Sequence, residues 1–416
     1  MKVKGFFILL LLLHLQLQAQ YIPNVLFIGN SYTEVNNLPQ MVSDIATNMG
    51  DQMTYSTNTP GGCTFMQHCN NQSMSMIREG IWDIVVLQEQ SQLPSFPQWQ
   101  VEQQCFPYAK RLVDSIYANN PCAEPMFYMT WGRKNGDEIN ASEFPVLGTY
   151  EGMDSMLCER YTYMAEANES SLCPVGRVWR YIRSNHHEIE LYASDGSHPS
   201  TAGTYAAACA FYVMFFHRDP NNITFNSSLD DTTARIIRTV VKRIVYENLT
   251  HWQRPQPQAR LSVEIDNYTA FFTNTSNNTD SITCDFGDGA TLSLDATEQH
   301  FSHTYADSGI YQVRLVAHHR CMSDTTLLDV EIRLIPSNIN SIHTIIPVKV
   351  YPNPTTTILK VDAPTMQHFE MKDLHGCTLI TGNTNQVDIG DLPAGIYILQ
   401  IHTTNGTTSQ TVIKRP

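Results

Sequence analysis

The sequence predicts an α/β domain with a parallel sheet, followed by two small all-β sandwich domains. Up to about residue 252, short apolar runs alternate with segments that carry apolar residues at helical spacing. After a Pro- and Gln-rich stretch at residues 254–258, the pattern changes to the two-residue alternation of half-buried strands. The chain has 416 residues, which also favours several domains because one ordinary core rarely serves so long a chain.

In the first region, three short apolar runs predict buried strands of a parallel sheet, because helices cover such strands on both faces. The runs are residues 24–28, 82–87 and 125–130. Residues 38–49 and 108–117, which lie between them, have helical spacing. An apolar stripe from Ile236 to Val245 predicts a long amphipathic helix that closes the domain near residue 252.

Two β-rich regions are expected behind this domain, at residues 259–334 and 346–416. The first alternates in period two, as in the segment Tyr311–Val316. A second linker around residues 336–343 leads to the last region, where residues 396–401 and 411–413 have the composition of strands.

Residues 1–19 have the features of a signal peptide. Lys2 and Lys4 form a basic start, residues 6–13 are an unbroken apolar run, and Ala19 is small enough to precede a cleavage site. The apolar run is about half of what a bilayer-spanning helix needs, and no later stretch is long enough either. We therefore expect an exported protein without a transmembrane segment.

The charge of the chain restricts its partners. A formal net charge of −14 without a run of Lys or Arg argues against nucleic acid, because an acidic surface repels phosphate backbones. The same repulsion disfavours anionic membranes. A neutral substrate, such as an acylated sugar, is compatible with this charge.

Ten cysteines in an exported chain permit disulfides. Seven lie between Cys63 and Cys209, and Cys377 stands alone near the end of the chain. Cys284 and Cys321 are isolated together in one β-rich region, so a Cys284–Cys321 bridge is predicted. The cysteines lack C-x-x-C spacing, so no metal site is expected from them.

Ser31 follows directly on the first predicted strand, in the segment Gly29-Asn30-Ser31. A serine at the end of a parallel strand lies at the carboxyl edge of the sheet, where open α/β folds place their active sites. Gly29 is expected to let the backbone turn sharply at this point. The alternative is that Asn30 and Ser31 merely cap the helix that follows.

Asp195 and His198 form a second candidate element, just before an Ala-rich helical segment at residues 201–216. An Asp three residues before a His can accept a hydrogen bond from the ring and fix its tautomer, so that the other ring nitrogen takes the serine proton. A neighbouring Asp and His also occur as a simple polar pair in a loop. Together the two elements predict a catalytic Ser31–His198–Asp195 arrangement.

These blocks resemble those of the SGNH (GDSL-like) hydrolases, and the resemblance covers about residues 22–252 of a domain predicted at residues 20–252. It implies a flavodoxin-like three-layer sandwich and a serine esterase that needs no metal and no organic cofactor. It also implies an oxyanion hole that uses the amides of Ser31 and Gly62. The third block of the family is usually Gly-x-Asn-Asp, whereas this chain has Leu-Gln-Glu-Gln-Ser at residues 87–91. Gln90 stands at the position of the Asn and can donate the same hydrogen bond from a longer side chain.

Several further residues each allow two interpretations. Tyr32 and Trp131 either line the acyl or sugar site or pack in the core. Arg133 either binds a substrate carboxylate or forms a surface salt bridge, and Glu89 either orients the oxyanion donor or faces solvent. Three histidines are expected to be surface or loop residues without a catalytic role: His68, His186 and His187.

The β-rich regions carry two further resemblances. The segment 285–289 (Asp-Phe-Gly-Asp-Gly), followed by His-Thr-Tyr at 303–305, resembles the PKD domain, an immunoglobulin-like sandwich that spaces domains or binds glycans. Its motif is expected to form a tight turn, with a calcium site at Asp285 or Asp288 as the alternative interpretation.

Tyr-Pro-Asn-Pro at 351–354 and the segment Leu392–Tyr397 resemble the C-terminal sorting domain of type IX secretion. The alternative is a plain terminal β-sandwich. The resemblance implies the type IX machinery as a partner and export across both membranes of a bacterium of the Bacteroidetes kind. The product is then secreted or attached to the cell surface.

These features predict a secreted serine ester hydrolase that acts through an acyl-enzyme and deacetylates a carbohydrate. The first alternative is a catalytically weak or inactive domain that serves as a secreted glycan- or protein-binding module. The second is an acyltransferase or lipase of the same fold, which the sequence does not separate from an esterase because variable loops build the acyl pocket.

Overall fold

A computed structural model of the chain describes residues 21–333 and 348–416. These residues form two compact units, of which the first ends at Arg333. The predicted signal peptide and the predicted linker at 336–343 lie outside the described residues. Within the described ranges, no helix combines the length and the apolar character needed to cross a bilayer.

The first unit begins with a five-stranded parallel sheet between two layers of helices, which confirms the predicted α/β fold. The strands are β1 (Asn24–Ile28), β2 (Thr54–Asn58), β3 (Ile84–Leu87), β4 (Glu124–Tyr128) and β5 (Ser171–Cys173). Their spatial order is β2-β1-β3-β4-β5, the flavodoxin-like order of doubly wound sheets. In such sheets the ligand crevice lies at the carboxyl ends of β1 and β3, where the strand order reverses.

Helices cover both faces of this sheet, so its central strands are apolar throughout. Because successive residues of a strand point to opposite faces, Val25 and Phe27 of β1 enter one core and Leu26 and Ile28 enter the other. All four side chains are completely buried. The edge strand β2 has no such run, because its residues are exposed or half-buried, and its polar sequence gave no signal of a strand.

The helices of the first unit fall into two layers. Those of the α/β region are α1 (Ser31–Glu34), α2 (Leu38–Asn48), α3 (Phe65–His68), α4 (Ser73–Arg78), α5 (Gln98–Gln104), α6 (Phe106–Asn119), α7 (Tyr150–Ala167), α8 (Val175–Asn185), α9 (Thr201–Phe216), α10 (Asp231–Ile244) and α11 (Leu249–Trp252). Helices α2, α8, α9 and α10 pack on one face of the sheet, and α4, α6 and α7 pack on the other. The Ala-rich helix α9 is almost completely buried, which places the segment after His198 firmly in the core.

The first unit ends with a β-sandwich. Its strands are β6 (Leu261–Asp266), β7 (Thr269–Asn274), β8 (Ser281–Asp285), β9 (Thr291–Asp295), β10 (His300–Thr304), β11 (Gly309–His319) and β12 (Met322–Ile332). They form two antiparallel sheets, β10-β7-β6 and β12-β11-β8-β9. Alternate residues of these strands, among them Phe272, Cys284 and Leu315, are buried between the sheets.

The predicted Cys284–Cys321 bridge is wrong. Cys321 is bonded to Cys122, which precedes β4, and Cys284 is a buried free cysteine. Cys284 lies opposite Leu315 in the middle of the sheet, whereas Cys321 lies in the turn between β11 and β12. The cysteines share a region of the sequence, but the strand register keeps them apart.

Further contacts join the same turn to the α/β region. The Arg320 guanidinium lies 3.7 Å from the centre of the Tyr117 ring, and its Nη2 lies 3.0 Å from Glu169 Oε2. On the preceding linker, Arg254 donates through Nη1 to the Ala123 carbonyl at 2.9 Å. The disulfide therefore joins two regions of this unit that non-covalent contacts also hold together.

The second unit is also a β-sandwich. Its strands are β13 (Lys349–Tyr351), β14 (Ile358–Asp362), β15 (Met366–Lys372), β16 (Thr378–Gly382), β17 (Gln386–Asp388), β18 (Gly395–Thr403) and β19 (Gly406–Lys414). They form the sheets β13-β14-β17 and β16-β15-β18-β19, around a core that includes Leu359, Phe369 and Leu399. The predicted all-β regions are thus confirmed.

The Cys122–Cys321 bond yields a testable prediction. Cys122→Ser should lower the melting temperature by several degrees, because a bridge that spans 199 residues restricts the unfolded chain and contributes about 2–4 kcal/mol. Thermal unfolding without reductant measures this, and Cys377→Ser, at an exposed free cysteine, is the control. Equal melting temperatures for Cys122→Ser and the unchanged protein would contradict the assignment.

Candidate active site

Ser31 is the first residue of the short helix that follows β1. The preceding Asn30 has extended backbone and caps this helix, because its Oδ1 accepts from the Tyr32 amide at 3.0 Å. Asn30 Nδ2 also donates to the Cys63 carbonyl at 3.2 Å. The capping interpretation is therefore right for Asn30, and the cap leaves the Ser31 hydroxyl free for another partner.

That partner is His198. Ser31 Oγ lies 2.8 Å from His198 Nε2, and His198 Nδ1 lies 2.5 Å from Asp195 Oδ2. The second oxygen of Asp195 accepts from the backbone amides of Ser197 and His198, each at 3.0 Å. Three residues from opposite ends of the α/β region thus form one continuous chain of hydrogen bonds.

The charge on Asp195 suits this chain. Partial burial raises the pKa of the carboxyl, but the hydrogen bonds from the His198 ring and the two amides outweigh it and leave the pKa below the ordinary aspartate value. The carboxylate is therefore ionised at neutral pH and holds a proton on Nδ1 of His198. That tautomer leaves Nε2 as the acceptor for the Ser31 hydroxyl.

A stack of buried aromatic rings supports the Asp195–His198 loop. Tyr32 and Trp131 stack at a centroid distance of 4.8 Å, and Trp179 stacks on the other side of Trp131 at 3.7 Å. Tyr32 Oη lies 2.7 Å from Ser197 Oγ, and Trp131 Nε1 donates to the Ser197 carbonyl at 3.1 Å. Both rings are almost completely buried. Tyr32 and Trp131 are thus packing residues that support the Asp195–His198 loop through Ser197, as in the second of the two interpretations.

The turn before Ser31 is fixed by close packing. A Cβ added to Gly29 would lie 2.6 Å from Thr33 Oγ1 and 2.7 Å from Gln88 Oε1. The expected reason, a turn that needs glycine's backbone freedom, is not the one observed, because Gly29 lacks a positive φ. Glycine is favoured here because the Thr33 and Gln88 side chains both approach so closely.

His68 is completely buried, so the expectation of a surface or loop histidine is wrong. Its Nε2 lies 2.8 Å from the Gly29 carbonyl and its Nδ1 lies 2.8 Å from Ser73 Oγ. Burial lowers the pKa of His68, and the neutral ring therefore links the end of β1 to α4. His186 and His187 lie at the end of α8, half-buried and exposed respectively.

Glu89 lies between the two loops that are predicted to supply oxyanion donors. It is completely buried, which rules out the solvent-facing interpretation. Its Oε1 accepts from the Gln90 amide at 2.6 Å and from the Phe65 amide at 2.9 Å. Burial is the largest influence on Glu89 and raises its pKa to about 8, although both amide bonds lower it. Glu89 therefore joins these loops largely as a neutral acid at pH 7.

Gln90 is half-buried and its side chain has a fixed orientation. Its Oε1 accepts from the amides of Gln92 and Leu93 at 2.8 and 3.0 Å. Its Nε2 donates to Gln92 Oε1 at 3.3 Å, which engages one of its two hydrogens. The other N–H remains available to a ligand, so the role of Gln90 as an oxyanion donor stays a prediction.

Gly62 lies on an exposed loop with a positive φ of 67°. A Cβ added at Gly62 would meet no atom within 4 Å, so it is the backbone conformation that favours glycine here. The next residues are attached to the site, because Cys63 accepts from Asn30 and Phe65 donates to Glu89. The loop is thus fastened by the residues that follow Gly62, and the oxyanion role of Gly62 also stays a prediction.

Arg133 follows β4 and pairs with a buried carboxylate. Its Nη1 lies 3.4 Å from Asp137 Oδ1, and the Asp137 side chain is completely buried. Asp137 Oδ2 accepts from Gln92 and Asn140, both at 2.7 Å. The pair is therefore more than a surface salt bridge, since through Gln92 it also contacts the residue that binds Gln90.

Family models match the two β-sandwiches. Residues 254–332 match the PKD domain, and residues 349–415 match the secretion system C-terminal sorting domain. The chain carries both of these domains. The sorting domain indicates export by the type IX machinery to the cell surface or the medium. No curated protein matches the chain.

The α/β region is similar to several solved structures. One is a DUF4886 family protein from Bacteroides uniformis, with 17 % identity and a TM-score of 0.48, covering 56 % of this chain and 96 % of that chain. A putative SGNH hydrolase from Slackia heliotrinireducens has 25 % identity and a TM-score of 0.37, covering 46 % and 98 %. A mutant acetyl-xylooligosaccharide esterase from Geobacillus Stearmophilus has 15 % identity and a TM-score of 0.34, covering 46 % and 93 %.

Glu89 predicts a pH dependence of stability. In the unfolded chain this carboxyl ionises near its ordinary pKa of 4.5, whereas in the folded chain it keeps its proton up to about pH 8. The folded state binds more protons between these values, so its stability should fall as pH rises from about 4.5 to 8, by a few kcal/mol from this group.

The test compares Glu89→Gln with the unchanged protein by chemical unfolding between pH 5 and pH 8. Gln keeps the shape of the neutral acid, so the difference in unfolding free energy should grow in favour of the variant as pH rises. Glu138→Gln, at an exposed position, is the control. A difference that is constant across this range would show that the carboxyl is already ionised in the folded protein.

Proposed function

We propose that the α/β domain is an ester hydrolase that acts through an acyl-enzyme on Ser31. The observation that carries the proposal is the hydrogen-bond chain from Ser31 Oγ through His198 to Asp195. His198 Nε2 takes the hydroxyl proton as Oγ attacks the ester carbonyl, and the ionised Asp195 stabilises the imidazolium that forms. His198 then returns this proton to the alcohol as it leaves. In the second half-reaction, His198 activates a water that releases the acid.

Developing charge on the carbonyl oxygen requires hydrogen-bond donors on the other side of the substrate. The Ser31 amide is the first N–H of a helix and has no acceptor within that helix. Gly62 and Gln90 lie on loops that Glu89 and Asn30 fasten beside Ser31. We assign the oxyanion hole to the Ser31 amide, the Gly62 amide and the Gln90 side chain, because donors held before the substrate arrives cost little reorganisation.

An acetylated carbohydrate is the substrate that the surroundings favour. The His198 and Asp195 side chains are 34 % and 48 % exposed, so a bulky polymer can reach the site. A long acyl chain needs a deep apolar tunnel, whereas a small acetyl group does not. The negative net charge and the export route are compatible with an extracellular polysaccharide, and the signal peptide and a Bacteroidetes source belong to the same proposal.

Removing the nucleophile tests the mechanism. Ser31→Ala should reduce hydrolysis of p-nitrophenyl acetate about a thousandfold or more, because loss of the nucleophile disables both half-reactions. The exposed Ser75→Ala on α4 is the matched control, and thermal unfolding verifies the fold. Full activity in folded Ser31→Ala would refute the proposal.

The same assay with a panel of acetylated glycans separates the alternatives. Binding without turnover would identify a binding module. Acetyl transfer to an added alcohol, at the expense of free acetate, would identify an acyltransferase.

The oxyanion assignment is tested with two changes at Gln90. Gln90→Ala should lower kcat about a hundredfold with little change in KM, because the donor acts mainly in the transition state. Gln90→Glu keeps an oxygen for the amides of Gln92 and Leu93 but removes the donor, so its loss should be at least as large. The exposed Gln98→Ala is the control. An effect confined to KM would mean that Gln90 only contacts the bound substrate.

A further inference from the structure

The sorting domain carries three side chains with metal-ligand chemistry on the outer face of its larger sheet. His368 and Glu370 lie two residues apart on β15 and therefore point to the same face, opposite the buried Phe369. His402 on β18 is the direct cross-strand partner of His368. One potential ligand atom from each of the three lies within 4.8 Å of the others.

The two histidines are held in an arrangement that leaves one nitrogen without a partner. Their rings stack at a centroid distance of 4.2 Å and an angle of 6°. His402 Nδ1 lies 3.0 Å from Thr407 Oγ1, on the neighbouring strand β19. His402 Nε2 is buried and makes no hydrogen bond to any described residue. A buried polar atom without a hydrogen bond lowers the stability of the fold. A neutral imidazole nitrogen can instead donate its lone pair to a metal ion.

The hydrogen bond at Nδ1 is the kind of support that metal-binding histidines have. When Nδ1 donates its proton to Thr407, the lone pair of the ring is on Nε2 and the ring orientation is fixed. Thr407 thus already holds the His402 ring in the orientation that metal binding through Nε2 requires.

Lys372 competes with a metal ion for the Glu370 carboxylate, but it has a second hydrogen-bond partner. Lys372 Nζ lies 2.8 Å from Glu370 Oε2, and the same ammonium donates to Gln400 Oε1 at 2.8 Å. Lys372 keeps a partner if Glu370 turns towards the histidines. The second carboxylate oxygen is also available without any loss of the ion pair.

We propose that His368, Glu370 and His402 bind one divalent transition-metal ion, with Zn²⁺ as the best fit to two imidazoles and one carboxylate. Ligand atoms around a tetrahedral zinc lie about 3.4 Å apart, so the three side chains must approach from within 4.8 Å. The exposed His368 ring must also tilt out of its stack with His402, because the lone pairs of parallel rings do not meet at one ion. The ion cross-links β15 and β18, the central strands of this sheet, and keeps a fourth position open. The cysteine spacing could not indicate this site, because its ligands come from two strands that are distant in sequence.

The proposal is tested by calorimetry. Zn²⁺ is titrated into the full chain, including the sorting domain, after a chelator has removed bound metal. One equivalent of Zn²⁺ should bind with micromolar affinity, and His402→Ala should weaken it about tenfold or more. Glu370→Gln should act in the same direction and preserves the shape of the side chain if His402→Ala is poorly folded. His375→Ala, at an exposed histidine of the same domain, should leave binding unchanged.

Lys372→Met provides an opposite test. It removes the cation that competes for Glu370, so zinc affinity should rise several-fold. Thermal unfolding with and without zinc should show stabilisation in the unchanged protein and none in His402→Ala. The proposal is overturned if no equivalent binds, if affinity is equal in the unchanged protein and both ligand variants, or if Lys372→Met does not strengthen binding.

Discussion

The geometry of the candidate site depends on one buried side chain between two strand ends. Gln88, which follows β3, accepts through Oε1 from the Asn30 amide at 2.9 Å and from Thr33 Oγ1 at 3.0 Å. Together with Thr33, it lies so close to Gly29 that an added Cβ would clash with both side chains. This contact fixes the path from β1 into α1 and hence the direction of Ser31. In a doubly wound sheet it occupies the point where the strand order reverses, so a general property of the fold becomes a specific position for one hydroxyl.

His198, the proposed base, comes from the other end of the α/β region and is supported by its own set of contacts. The Asp195–His198 loop lies on a stack that includes Tyr32, which itself follows Ser31 directly. Helix α1 therefore carries Ser31, the proposed nucleophile, and also contacts the loop that holds His198. The contacts of Tyr32 thus support the distance of 2.8 Å between Ser31 Oγ and His198 Nε2, which are 167 positions apart in the sequence.

Several features could be predicted from local sequence and several could not. The central strands have apolar runs because both of their faces are buried. The candidate triad lies in short motifs, in which the three-residue spacing of Asp195 and His198 allows their side chains to form a hydrogen bond. The strand β2 could not be found in this way, since an edge strand half-covered by helices needs no apolar pattern. The Cys122–Cys321 bond and the burial of His68 depend on which surfaces meet after folding. Only tertiary structure contains that information.

The departure in the third block has a physical account in the contacts of its residues. Gln88 binds the loop of Ser31, Glu89 binds the loop that contains Gly62, and Gln90 binds the segment that follows it. Because neighbouring side chains point in different directions, three consecutive polar residues can each fasten a different loop around one crevice. A buried neutral Glu89 suits this role, since its carboxyl oxygen accepts two amides without placing a full negative charge beside the proposed oxyanion site. The altered motif therefore holds the Gly62 loop and the Gln90 side chain, the proposed oxyanion donors, in fixed positions.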